Sequence, residues 1–207
     1  MRRFVLVVLL LFGVSAFCLS LDDITKASSD MVNVYMKVRA ENHVSRRTTV
    51  VEFEFYYVRE DGKMRIEYTY PPRMKGTVIA IDGEYFYNYV PSLKKKMKKR
   101  LGSSSKNPGK DMGILFDFVA GTLNDFLKNH ESEFVDSEKK KLGRDELELY
   151  HWEFSSKDED EVQDVWFDST GFPRMIRITR KGKLALEITI KSYKINIEMK
   201  DELFKPF

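Results

Sequence analysis

Hydrophobic and polar positions alternate along much of the chain, most clearly between Val50 and Pro91. Val51, Phe53, Phe55 and Tyr57 alternate with Glu52, Glu54 and Tyr56. That period of two predicts a strand with one apolar and one wet face. Asp61-Gly62 supplies a tight turn, and Met64, Ile66, Tyr68 and Tyr70 alternate with Arg65, Glu67 and Thr69 in a returning strand. Pro71-Pro72 ends it, because proline cannot donate to a ladder. Thr77 to Ile81 and Tyr85 to Val90, joined at Asp82-Gly83, predict a third and a fourth strand. Strands joined in sequence by tight turns make a meander.

The rest of the chain extends or covers that sheet. Leu21 to Val32 opens on two aspartates and places Ile24, Ala27, Ser28 and Met31 on one face, which predicts a short amphipathic helix. Val32, Val34, Met36 and Val38 then alternate with polar positions as a first strand, and Glu41 to Arg47 is a polar turn. Gly102 to Gly109 is rich in Gly, Ser and Pro and is expected to be a mobile loop. Leu115, Phe118, Val119, Thr122 and Phe126 follow helical spacing within Gly113 to Asn129, and Gly121 divides that stretch into two short helices. From Phe134 onward hairpins resume through Leu147–Phe154, Val162–Asp168, Pro173–Thr179 and Leu184–Ile190, with Tyr193–Ile197 as a continuation. The expected class is mainly β (α+β). It is an incomplete, curled antiparallel barrel of about 10–11 strands with an N-terminal helix and a central helical lid.

Composition changes this picture at the N-terminus. Met1-Arg2-Arg3, an uncharged apolar run from Phe4 to Phe17 and small residues near Ala16 to Ser20 describe a cleaved secretory leader over residues 1–20. The run is too short for a membrane span. Residues 21–207 are then one domain in an extracytoplasmic compartment. Cys18 is the single cysteine; it is either an incidental leader residue or a lipid attachment point, with Phe17 in place of the small residue that lipoprotein leaders carry there. With 35 basic and 32 acidic residues, no global field argues for nucleic acid. Abundant Lys and Glu with a single glutamine, Gln163, lean toward a thermophilic source.

Lys94 to Arg100 places six cations in seven residues. Lys94, Lys96, Lys98 and Arg100 are candidates for docking an acidic partner or anionic headgroups; the competing reading is a solvated edge strand protected by its lysines. His43, His130 and His151 are scattered and have no cysteine partners, so no metal or other cofactor is called for. No nucleophile elbow, Gly-rich phosphate loop or zinc-protease helix occurs, and the expectation is that the protein is not an enzyme.

An ordered set of motifs carries a resemblance: Arg65-Ile66-Glu67-Tyr68, Pro71-Pro72, Asp82-Gly83 followed by Phe86-Tyr87, then Asp168, Gly171, Pro173 and Ile176, and finally Phe204-Lys205-Pro206. Over nearly the whole of residues 21–207 this resembles the LolA-like outer-membrane lipoprotein carrier family. The resemblance implies a periplasmic carrier that takes acyl chains into an apolar cavity beneath a helical lid. It would receive lipoproteins from an inner-membrane releasing transporter and pass them to an outer-membrane acceptor. The alternative is a lipid-binding or sensor module of the same fold that transports nothing, either anchored at Cys18 or unanchored. The expected cavity residues are Val34, Met36, Val51, Phe53, Phe55, Tyr57, Met64, Ile66, Tyr68, Leu115, Phe118, Val119, Leu186 and Ile188. In the family an arginine after the second strand contacts the lid; Arg59 is the candidate for that latch here, in a stretch that lacks the family's proline and does not match its spacing residue for residue. A monomer with acyl ligands and no nucleic-acid partner is expected.

Overall fold

The computed structural model describes residues 19–43, 47–101, 112–142 and 145–207. The Gly102–Gly109 loop and Cys18 lie outside the described residues. Eleven strands form one antiparallel sheet: β1 (Asn33–Asn42), β2 (Thr49–Val58), β3 (Lys63–Tyr70), β4 (Val78–Ile81), β5 (Tyr85–Val90), β6 (Lys95–Arg100), β7 (His130–Leu142), β8 (Asp145–Ser156), β9 (Glu161–Phe167), β10 (Pro173–Arg180) and β11 (Lys183–Ile195). Their order across the sheet is β6-β5-β4-β3-β2-β1-β11-β10-β9-β8-β7. Two meanders, β1–β6 and β7–β11, are therefore zipped together by the β1–β11 pair. The sheet is not closed, and it is curled as an incomplete barrel. Register shifts such as those between Lys37 and Val38 and between Phe134 and Asp136 add local twist where the sheet must bend.

Among the described residues three α-helices accompany the sheet: α1 (Leu21–Ser29), α2 (Ile114–Ala120) and α3 (Leu123–Lys128). The chain leaves β6 at one edge and re-enters β7 at the other, and the described part of that connection lies on the apolar face of the sheet. Leu115, Phe118, Val119, Leu123 and Phe126 from that connection join Ile24 of α1 and the inward residues of the central strands in a single core. Phe55, Phe118, Phe154 and Phe167 are nearly or completely buried there, and each such side chain contributes about 1.5–3 kcal/mol. The break at Gly121 is as expected from its spacing. It adopts φ +78°, and the backbone turns there from α2 into α3.

Tyr85–Val90 is found with the expected bounds, and Lys95–Arg100 is an edge strand. The first strand runs further than expected, to Asn42, and β7 begins at His130 rather than Phe134. β7 is an edge strand solvated on both faces over most of its length, so burial imposes no alternation on it. Leu19 and Ser20, set aside with the leader in the sequence reading, are part of the folded unit. Leu19 is buried in the core, and Ser20 caps α1 in a capping box with Asp23.

The β9–β10 turn is held by a buried polar cluster around Asp168. Its carboxylate accepts hydrogen bonds from the Thr170 N–H (3.0 Å), the Thr170 hydroxyl (2.6 Å) and the Tyr193 hydroxyl (2.9 Å). The buried Arg174 lies 3.4 Å away and also donates to Ile190 O. Burial pushes the Tyr193 phenol up to about 12, so it remains a donor across the neutral range. Gly171 in this turn lies against Ala27 and the α1 backbone, so the cluster also seats α1. Asp168→Ala leaves a buried guanidinium without its counter-charge. The expected loss is about 3–5 kcal/mol, read from urea denaturation.

Candidate functional site

The candidate site is the inner face of the sheet and the helices that lie on it. All fourteen expected cavity residues converge there. Val34, Met36, Phe53, Phe55, Tyr57, Met64, Leu115, Phe118, Val119 and Ile188 belong to one buried cluster, and Val51, Ile66, Tyr68 and Leu186 pack against it half-buried. The strands supply these side chains at every second position, and pairing carries them from strand to strand: Met36 opposite Phe55, Phe55 opposite Ile66, Val34 opposite Tyr57, Tyr57 opposite Met64. The lid's own aromatic and branched side chains occupy the concave face, as where Tyr57 meets Phe116 edge-on at 6.1 Å.

Helix α2 of the lid is pinned by hydrogen bonds at its two ends. A helix end leaves carbonyl groups without partners inside the helix, and the C-termini of α1 and α2 both point theirs at Arg59. Its guanidinium donates to Ser28 O (2.6 Å), Ser29 O (3.1 Å), Val119 O (3.2 Å and 3.3 Å) and Phe118 O (3.5 Å). The Ser28 hydroxyl adds a buried bond to Phe118 O at 2.7 Å. A positive charge at helix C-termini is favourable in itself. Burial lowers the Arg59 pKa from its ordinary value, yet a guanidinium stays charged at any working pH. A Cβ on Gly121 would stand 2.8 Å from Arg59 Cζ, so glycine there is required by the latch as well as by its φ of +78°.

At the other end of α2, the Ile114 N–H donates to the Gln163 side-chain oxygen at 2.9 Å, and the Gln163 amide donates to Glu161 at 2.7 Å. Sequence reading did not find Gln163. The signal was present: it is a polar residue on the same strand face as Val165 and Phe167, where the pattern calls for an apolar one, and it is buried.

The cationic candidates lie elsewhere. Lys96 and Lys98 stand over the rings of Tyr89 and Tyr85, at 5.9 Å and 4.0 Å, on the opposite face of the sheet, and Arg100 pairs with Glu84 at 3.3 Å. Lys94 sits at the turn before β6 with φ of 50°. A concavity of about 570 Å³ lies between α1 and the β9–β10 turn, lined by Leu19, Ala27 and Tyr150 as well as by Asp23, Lys26, Asp30, Ser169 and Thr170. Among the described residues no group of three or more His, Cys, Asp or Glu is placed to hold a metal ion, and no helix is long and apolar enough to cross a membrane.

No family model matches the sequence, and no curated protein matches it. Solved structures do match its shape. An uncharacterized conserved protein of Thermus thermophilus aligns with a TM-score of 0.55 at 10% identity, covering 90% of this chain and 91% of that one. The lipoprotein LppX of Mycobacterium tuberculosis aligns with a TM-score of 0.52 at 13% identity, over 86% and 94% of the two chains. The Pseudomonas aeruginosa MucA/MucB complex aligns with a TM-score of 0.53 at 13% identity, over 88% of this chain and 58% of that one. At such identities the likeness is one of fold. The chain shares the fold of LppX and of the MucA/MucB structure.

Two outcomes follow for the lid. Arg59→Ala removes one partner of at least four carbonyl groups and is expected to cost about 2–3 kcal/mol in urea denaturation. Asp117 of α2 has its pKa raised, chiefly by burial, against a 2.8 Å hydrogen bond from the Thr122 hydroxyl. A carboxyl whose folded pKa is raised stabilises the fold below its unfolded pKa and loses that contribution as pH rises through the folded value. Asp117→Asn is therefore expected to melt higher than the wild type at pH 7. The difference should vanish below the ordinary carboxyl value of 3.8.

Proposed function

We propose that the protein is a periplasmic carrier that binds the acyl chains of lipoproteins or lipids between the concave face and the helical lid. It shuttles them from the inner to the outer membrane, with no covalent chemistry. The observation that carries this reading is the construction of the lid. Helices α2 and α3 lie on an apolar face within a single chain connection, and hydrogen bonds donated by Arg59 and Ser28 and accepted by Gln163 hold α2 at its ends. Such a lid can lift as a unit while the zipped strands stay paired. An acyl chain would then take the places of Leu115, Phe118 and Val119 against the sheet. Each buried CH₂ contributes about 0.8 kcal/mol, enough for one long chain to offset the latch and the exposure of lid side chains.

The leader proposed over residues 1–20 would route the chain across the inner membrane. The burial of Leu19 and the capping role of Ser20 favour cleavage before Leu19. An inner-membrane releasing transporter and an outer-membrane acceptor are the partners this role requires. Docking to them through Lys94, Lys96, Lys98 and Arg100 would be electrostatic and salt-sensitive.

A second reading has its own support. The MucA/MucB structure shares this fold and is a protein–protein complex, and Leu19 is in the core immediately after Cys18. A chain lipidated at Cys18 would hold this fold close to a membrane as a sensor or lipid-binding module. The mass of the mature N-terminus separates the two, because a free Leu19 fits the shuttle and a diacylated Cys18 the anchored module.

Ile66→Lys tests the cavity. Ile66 is half-buried and lies between Phe55 and Ile79 on the concave face. In an openable cavity a lysine extends toward the mouth and keeps its charge in water. The expected variant is soluble and cooperatively folded, melts slightly lower, and no longer retains acyl lipid when lipid uptake is followed by native mass spectrometry. An insoluble variant would place Ile66 in a permanently closed core. A folded variant with unchanged uptake would remove it from the binding face.

A further inference from the structure

The lid covers the concave face unequally. In an antiparallel sheet paired residues point to the same side, so the register can be followed from the centre to the β6 edge. One row runs Met36, Phe55, Ile66, Ile79, Asn88, Met97. Met36 and Phe55 are fully buried, the next three are half-buried, and Met97 is 48% exposed. The neighbouring row passes through Tyr57, Met64, Ile81 and Phe86 and ends on Lys99, and Val90 on the same face is opposite Lys95. The concave face therefore opens at β4–β6, and its rim there is cationic.

The two faces of β6 treat their cations differently. On the outer face Lys96 and Lys98 lie over aromatic rings and Arg100 meets Glu84. The tyrosines beneath them are further covered by Phe207, edge-on to Tyr87 at 5.6 Å. On the inner face Lys95 and Lys99 are exposed, and neither is paired with a carboxylate among the described residues. Four residues of strand separate them by about 13 Å, so they form a positive border rather than a pincer. Between them and the covered core, the Asn88 side-chain oxygen is buried without a hydrogen-bond partner. A buried acceptor of this kind is costly unless something donates to it.

We infer that this open end is a headgroup subsite for a phospholipid with an anionic, hydroxyl-bearing headgroup. The acyl chains run inward along Ile79 and Ile66 toward Phe55 beneath the lid. The phosphate lies at the Lys95–Lys99 border, and a hydroxyl of the headgroup or glycerol unit donates to Asn88 Oδ1. This inference rests on the carrier reading and adds to it a preference among lipids.

The test uses the mature protein incubated with vesicles of equal parts phosphatidylglycerol and phosphatidylcholine, separated by sedimentation, with the retained lipid identified by mass spectrometry. The expected enrichment of phosphatidylglycerol is about tenfold, the order set by two cations near an anionic group. The Lys95→Ser/Lys99→Ser variant should bring it below about twofold, while Lys96→Ser/Lys98→Ser, with the same change in net charge on the other face, should leave it in place. Both pairs of lysines are exposed, so both variants keep the core intact. Equal enrichment in the inner-face variant, or equal loss in both, would overturn the subsite; the latter would mean general attraction to an anionic membrane. Retention of both lipids in the vesicle ratio would overturn the subsite and leave the carrier standing. Retention of neither by any variant would overturn both.

Discussion

The constraint on which the rest of the structure depends is that β6 and β7 are the two opposite edges of one open sheet. The chain leaves one edge and begins again at the other, and between them residues 114–128 lie across one of the sheet's two faces. Because the strands alternate, one of those faces is apolar, and a crossing segment of Leu, Ile, Val and Phe gains by lying on it. The lid is thus a consequence of connectivity and patterning together. Its helices are seven and six residues long, too short to be stable alone. What holds them is tertiary: side chains packed on the sheet, one guanidinium shared by two helix ends, and one buried amide at the start of α2.

That arrangement separates two kinds of stability within one fold. The strands from β3 through β1, β11 and β10 to β8 are each paired on both sides, and opening any of them would break ladders along its length. The lid is attached to the sheet by side-chain packing and by the hydrogen bonds of Arg59, Ser28 and Gln163, and burial disfavours the charge of Asp117 within it. The outer face is covered differently. Phe207 lies on Tyr87 and Tyr89, and Arg65 donates to Leu203 O, so residues 201–207 cover the outside of the same strands that are open within.

Much of this was legible in the sequence. Period-two alternation located the hairpins, Asp-Gly turns joined them, and helical spacing interrupted by Gly121 located two helices between two runs of strands. The resemblance of the motif order pointed to the fold, and to Arg59 as a residue to watch. What was not legible has a physical reason in each case. β7 carries no clear alternation because it is wet on both sides, so its start was misplaced. Gln163 looks like one polar residue in a strand until the helix N-terminus it serves is positioned against it. Whether Lys95 or Lys96 faces the concave side depends on pairing carried across five strands, which local pattern alone cannot supply. Leu19 and Ser20 were grouped with the leader because an apolar run gives no sign of where a helix cap begins.

The central claim is that the lid opens as a unit from a sheet that stays formed, and that acyl chains take its place. Hydrogen exchange followed by mass spectrometry, with and without a bound acyl lipid, tests this directly. The account predicts faster exchange across residues 114–128 in the lipid-bound protein, with β1, β2, β10 and β11 unchanged. Lid and central strands exchanging together at one rate, or a lid that lipid leaves as protected as before, would contradict it.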